Sequence, residues 1–242
     1  MTGERRWRGL GPCVARKPPV NEPGGPVRRL CIALDAHGHG AAGRPLVGIV
    51  EDASERAGLD RLYLAERGAP AGAAPRRSGG LLLLLPPGVD EARVIAGFVG
   101  ELRLALGRHN DRPGADARTR VRAAFHQGPT SVGEGGVVGR AVDTVCMMRD
   151  SEALKDALRR HPGSDLAVAI SAQLFEDVIE HEHRDLRRHA FHPLTIKAHG
   201  TPAEAWISVP GADRHVFRRD RVLGVPRRRH ARPGPVLNID EF

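Results

Sequence analysis

At 242 residues the chain is long enough to bury a core of its own, and its three scattered cysteines supply neither a disulfide framework nor a paired CxxC metal motif. No apolar stretch approaches the roughly 20 residues that a membrane-crossing helix needs; the longest, Leu81 to Leu85, has the length of a strand. The formal charge of +8 sits at the ends, with +5 in residues 1–30 and +4 in residues 212–242, leaving −1 for residues 31–211.

Residues 1–28 are basic, rich in Pro and Gly, and lack periodic apolar positions, so they read as a disordered arm without the apolar region of a secretory signal. "RRLCIALDA" alternates and then runs apolar, as a buried strand does. After a Gly/Pro break, Val47, Val50, Ala53 and Ala57 fall at helical spacing. "SGGLLLLLPPG" is a strand bounded by Gly and Pro, and its five leucines predict burial on both faces. The clearest helix follows, with Asp90 placed to cap it and Val94, Phe98, Leu102 and Leu106 on one stripe. "TRVRAAFHQG" alternates again and predicts a strand, on which Arg120 and Arg122 read as a solvated face or a partner contact. "SEALKDALRRHPG" predicts a helix capped by Ser151, "DLAVAISAQL" a strand running into the helix "AQLFEDVIEHE", and the segment from Phe191 to Gly211 a hairpin turning near Gly200 and Pro202. The sum is a mixed sheet with helices on one face, an α/β (α+β) architecture over residues 29–211. Residues 212–242 read as an Arg-rich, disordered tail. The cysteine usage suits a reducing, cytoplasmic setting.

The order of these segments carries a resemblance. "IALDAHGHG", "GGLLLLLPPGVD", "VRAAFHQG", "GGVVGRAVDTVCMMRDSEALKDAL", "DLAVAISAQLF" and "IKAHGTPAEAWISVPG" together resemble a class III nucleotide (adenylate and guanylate) cyclase domain, in its divergent actinobacterial form. The resemblance implies a ferredoxin-like βαββαβ core with additions, two chains paired head to tail, and sites shared between them. It also implies the chemistry. A ribose 3′-hydroxyl attacks the α-phosphorus of a nucleoside triphosphate, and two divalent cations, Mg or Mn, stabilise the charge that builds.

The residues that the resemblance assigns to this chemistry are largely missing. Asp35 matches the first metal-binding aspartate, but the second falls on Gly79, which has no ligand atom. The ribose-orienting Asn and the phosphate-neutralising Arg of the family fall on Asp143 and Met147. The base-reading positions fall on Pro75 and near Gly136, and the phosphate-binding lysine is kept as Lys197. Losing one transition-state charge donor costs about 10²–10³-fold in rate. The expectation is therefore a pseudo-cyclase, a regulatory or interaction module of bacterial signalling or defence. Its partners would be a second copy or another signalling protein, and a nucleotide held weakly through Lys197 and Asp35. The alternatives are an active cyclase in which Arg140 or Arg149 replaces the missing guanidinium, and a nucleic-acid binder working through its basic tails.

Four other features invite a functional reading. Asp35, His37 and His39 would share one side of a strand and could hold zinc, but the glycines after Asp35 read as a loop without fixed geometry; of the second cluster, His181, His183, His189 and His192, the first two fall on different sides of a helix. Cys146 could be a nucleophile, but its apolar neighbours predict burial. Glu134-Gly135-Gly136 reads as a hairpin turn rather than a phosphate loop, since no Gly-Lys-Ser/Thr follows. Trp206 reads as packing rather than a base platform.

Overall fold

The computed structural model describes residues 25–37, 44–59, 63–66, 80–112, 118–133, 136–182, 186–198 and 201–211. The basic arm up to residue 24, the tail from residue 212, and Gly79, Pro75, His39, Glu134, Gly135, His183 and Gly200 lie outside them.

The chain forms β1 (Val27–His37), α1 (Arg44–Arg56), β2 (Tyr63–Glu66), β3 (Leu81–Leu84), α2 (Glu91–Asn110) and β4 (Arg120–Gly133). These lie in the order β2-β3-β1-β4, every pairing antiparallel. That is a ferredoxin-like βαββαβ unit, in which each helix carries the chain past one intervening strand. The additions are β5 (Gly136–Val138), α3 (Arg140–Asp150), α4 (Glu152–Arg160), β6 (Leu166–Ser171), α5 (Ala172–Leu174), β7 (His192–Ala198) and β8 (Thr201–Ser208). They extend the sheet to β2-β3-β1-β4-β6-β8-β7, with β4 and β6 parallel and β5 paired to the far end of β4. A mixed sheet, the expected core and the terminal hairpin are all present. The strand β2 has no separate sequence signal, while β5 lies where the hairpin expected at Glu134-Gly135-Gly136 puts its second strand. The helix expected over Ala172–Glu182 is one α-turn followed by a π-helical turn, Phe175–Ile179.

Strand alternation explains where the helices go. On β1, Leu30, Ile32 and Leu34 face a large cluster with Leu46, Val50, Ile95, Phe98 and Leu102, so α1 and α2 share one face as expected. Asp90 caps α2 by accepting from Arg93 N at 2.9 Å, and the stripe Val94, Phe98, Leu102 and Leu106 is buried. Phe98 meets Phe125 of β4 edge-on, with ring centroids 6.4 Å apart. The additions correct the picture of helices on one face only. Cys31 and Ala33 of β1, Ala124 of β4, and Ala167 and Ala169 of β6 face the opposite side, against α3 and α4. Small side chains on that face let α3 approach closely. A Cβ on Gly128 would stand 2.9 Å from the Ala141 Cβ, so only glycine fits beneath the start of α3.

That contact yields a prediction. Gly128→Ala should displace α3 and lower folding stability by about 1–3 kcal/mol, the usual range for overpacking. Urea denaturation reads this directly, and an unchanged midpoint would show that α3 is not seated on β4 as described.

Candidate functional site

Asp35 stands near the end of β1 and, by the same alternation, points to the α3 and α4 side. Its register partner on β4 is Arg122. Arg122 Nε donates to Asp35 Oδ1 at 2.9 Å, and Nη2 donates to Oδ2. Both side chains are more than nine-tenths buried, at 8% and 6% exposure. This corrects the reading of Arg122 as part of a solvated strand face. An arginine alternating with apolar residues looks solvated in sequence, and only strand pairing reveals the carboxylate opposite it. Arg120 is half-buried rather than solvated. Its Nε donates to Ser164 O at 2.9 Å, and its Nη2 donates to the Leu158 and His161 carbonyls. It therefore satisfies the carbonyls at the end of α4.

A second arginine closes the site. Arg149, in the last turn of α3, is buried and donates from Nε and Nη2 to the two oxygens of Asp150, both at 2.9 Å. Burial opposes its charge, but the hydrogen bond and attraction of Asp150 outweigh that, helped by Cys146 and Asp35, and its pKa is raised. Its Nη1 lies over Gly80, the residue before β3. A Cβ there would collide with that nitrogen and stand 2.8 Å from the Leu34 carbonyl oxygen. Two arginines and two aspartates thus meet where β1, β3, β4 and the end of α3 converge. Arg122 Nη1 is buried with no hydrogen-bond partner among the described residues. In the sequence Arg149 stands out only as a stand-in for a missing guanidinium. The sequence signal for it is Gly80, required to be small and adjacent to the position where the resemblance leads one to expect a metal ligand.

The other expected residues fall as follows. Asp143 and Met147 lie one turn apart on α3, half-buried and away from the helix's buried residues Val142, Val145, Cys146 and Arg149. They stand between the Gly128 contact at one end of α3 and Asp35 at the other. Lys197 is on β7, in register with Pro202. Four strand steps separate β7 from β1. At about 4.8 Å per step, Lys197 and Asp35 are roughly 19 Å apart across the sheet. One chain does not bring them together.

Each histidine set has a member, His39 or His183, outside the described residues. Among the described residues there is no group of three His, Cys, Asp or Glu side chains able to hold a metal ion. His37 ends β1, His181 and His189 are exposed, and His192 is half-buried at the start of β7. Burial, with His161 nearby, lowers the His192 pKa. Cys146 is buried at 1% exposure, as its neighbours predict. Burial, with Cys146 adding to it and Arg29 opposing, pushes the Cys31 thiol up to about 12, so it stays protonated. Trp206 stacks on Phe175 at 3.6 Å, a packing role. The β4–β5 ladder runs from Ser131↔Val138 to Gly133↔Gly136, while Glu134 and Gly135, on which the hairpin-turn expectation falls, lie outside the described residues.

A pair of divalent cations, which the cyclase resemblance implies, needs several oxygen ligands free to face it. Here Asp35 is already paired with Arg122, Asp150 is held by Arg149, and a guanidinium fills the space beside Gly80. These residues do not fit such a pair.

Fold and site together define an α+β domain built on a ferredoxin-like core, with a buried carboxylate–arginine cluster on its added face. No protein-family model and no curated protein matches the chain. Among solved structures it is similar to an adenylate/guanylate cyclase/hydrolase from Silicibacter pomeroyi, at 19% identity over 76% of this chain and 99% of that one, with a TM-score of 0.47. It is also similar to the adenylyl cyclase CyaB from P. aeruginosa, at 11% identity over 78% and 97%, TM-score 0.42. A third is the non-canonical dimeric guanylyl cyclase domain of the RhoGC fusion protein from Blastocladiella emersonii, at 10% identity over 76% and 98%, TM-score 0.45.

Proposed function

We infer that this chain is a nucleotide-cyclase-like domain that does not cyclise nucleotides, and that it works as a regulatory or interaction module. The observation that supports this most is the two-point grip of Arg122 on Asp35. The one retained metal-binding aspartate is spent on an internal ion pair. Asp143 and Met147 add to the argument. A carboxylate repels the triphosphate that an amide would orient, and a thioether carries no charge to offset that of the transition state.

As a module, its partner is a second copy or another protein of a signalling system. The roughly 19 Å between Asp35 and Lys197 favours the second copy, because a site that uses both residues needs two chains. Any nucleotide held there is retained through Lys197 without chemistry.

Incubating the purified full chain with each of the four nucleoside triphosphates and Mn²⁺ tests the reading. The expected result is no cyclic nucleotide above a no-protein control, by mass spectrometry. Cyclic product that disappears in a folded Asp35→Ala variant would overturn it.

A further inference from the structure

We propose that Arg122 and Arg149 are the built-in replacement for the divalent cations at Asp35, making this a cation centre whose positive charge belongs to the chain and which is closed to metals. The proposal rests on the pseudo-cyclase reading only for the comparison with a metal site; its evidence is local. Arg122 reaches Asp35 from the neighbouring strand and takes both carboxylate oxygens. Arg149 comes from the opposite side, off α3, and its Nη1 occupies the space that a side chain on residue 80 would need. Glycine there is what admits the guanidinium. The four charges, Asp35, Asp150, Arg122 and Arg149, balance without any ion from solution.

The two arginines also differ in how firmly they are committed. Arg149 is tied by two hydrogen bonds to Asp150, which is one-third exposed, whereas the side-chain hydrogen bonds of Arg122 among the described residues go to the buried Asp35, with Glu152 also feeling its charge. Arg122 Nη1, also buried, has no hydrogen-bond partner among the described residues. A centre made in this way does not respond to metal supply. Arg149 also brings the end of α3 over Gly80 at the sheet, a contact that needs no bound ion.

Electron paramagnetic resonance of Mn²⁺ titrated into the full chain tests this without any reference to turnover. Wild type should leave the free Mn²⁺ signal at its no-protein level apart from weak surface binding that Asp35→Asn does not alter. Saturable loss of the signal in wild type, abolished by Asp35→Asn, would overturn the proposal. A triple variant, Gly80→Asp with Arg122→Gln and Arg149→Ala, supplies a second carboxylate and removes both guanidinium groups. It should gain saturable Mn²⁺ binding and a melting temperature that rises with Mn²⁺. A folded triple variant indifferent to Mn²⁺ would count against the proposal; if it does not fold, the wild-type titration decides alone. The two readings fail separately. Metal binding without cyclic product sinks this inference and leaves the pseudo-cyclase standing, while cyclic product without metal binding does the reverse.

Discussion

Replacing Arg122 by methionine should lower folding stability by about 3–5 kcal/mol, because it leaves a buried carboxylate without its partner. Asp35 has almost no contact with water, at 6% side-chain exposure, and both its oxygens accept from Arg122. Arg149 is near but is held by Asp150, so it cannot take over without giving up those bonds. Removing the acid as well, as Arg122→Met with Asp35→Leu, should recover most of the loss, since a buried ion pair is worth little more than apolar residues of similar volume. Urea denaturation of the four proteins of this cycle measures the coupling. A single variant within about 1 kcal/mol of wild type would mean that the pair is solvated in practice.

Acid should weaken the fold through His126. This residue lies on β4, in register with Cys31, on the face that α3 covers. Burial, reinforced by the Arg28 charge, lowers its pKa from 6.5 to about 4. The folded chain therefore keeps the imidazole neutral, while the unfolded chain takes up a proton near 6.5. In the window between about 6.5 and 4 the unfolded state binds more protons, so stability from this residue is complete above the window and is lost as pH falls through it. The full effect is on the order of 3 kcal/mol. Carboxylates add their own acid dependence, so the measurement is a comparison. Denaturation of wild type and His126→Asn at neutral pH and near pH 4.5 should show the variant losing less. Equal losses would exclude His126 as the cause.

The two predictions concern the same face of the sheet, and that face was the least legible in the sequence. The α1 and α2 side was legible, because it is made by large apolar residues at fixed periods. Val94, Phe98, Leu102 and Leu106 recur at helical spacing, and five consecutive leucines have few fates other than a strand covered on both sides. Caps were legible too, since Asp90 and Ser151 act on backbone N–H groups three residues away. The α3 side is built of Ala33, Ala124, Ala167 and Ala169 with polar residues among them, which carry no strong periodic signal. The strand Tyr63–Glu66 is too short to show a period at all.

By itself the sequence determined the secondary structure of the apolar elements, the mixed sheet, and the absence of side chains that the resemblance leads one to seek at Gly79, Asp143 and Met147. These are properties of single residues and of spacing along the chain. Only the tertiary structure decided what surrounds Asp35 and Gly80. Asp35 and Arg122 are 87 positions apart, and Arg149 and Gly80 are 69 apart. They meet because antiparallel pairing sets β1 against β4 and because α3 folds back across small residues onto the same corner. Charge pairing across such distances leaves no mark on local pattern, yet in a dry interior it determines whether a carboxylate faces a guanidinium or an ion from solution.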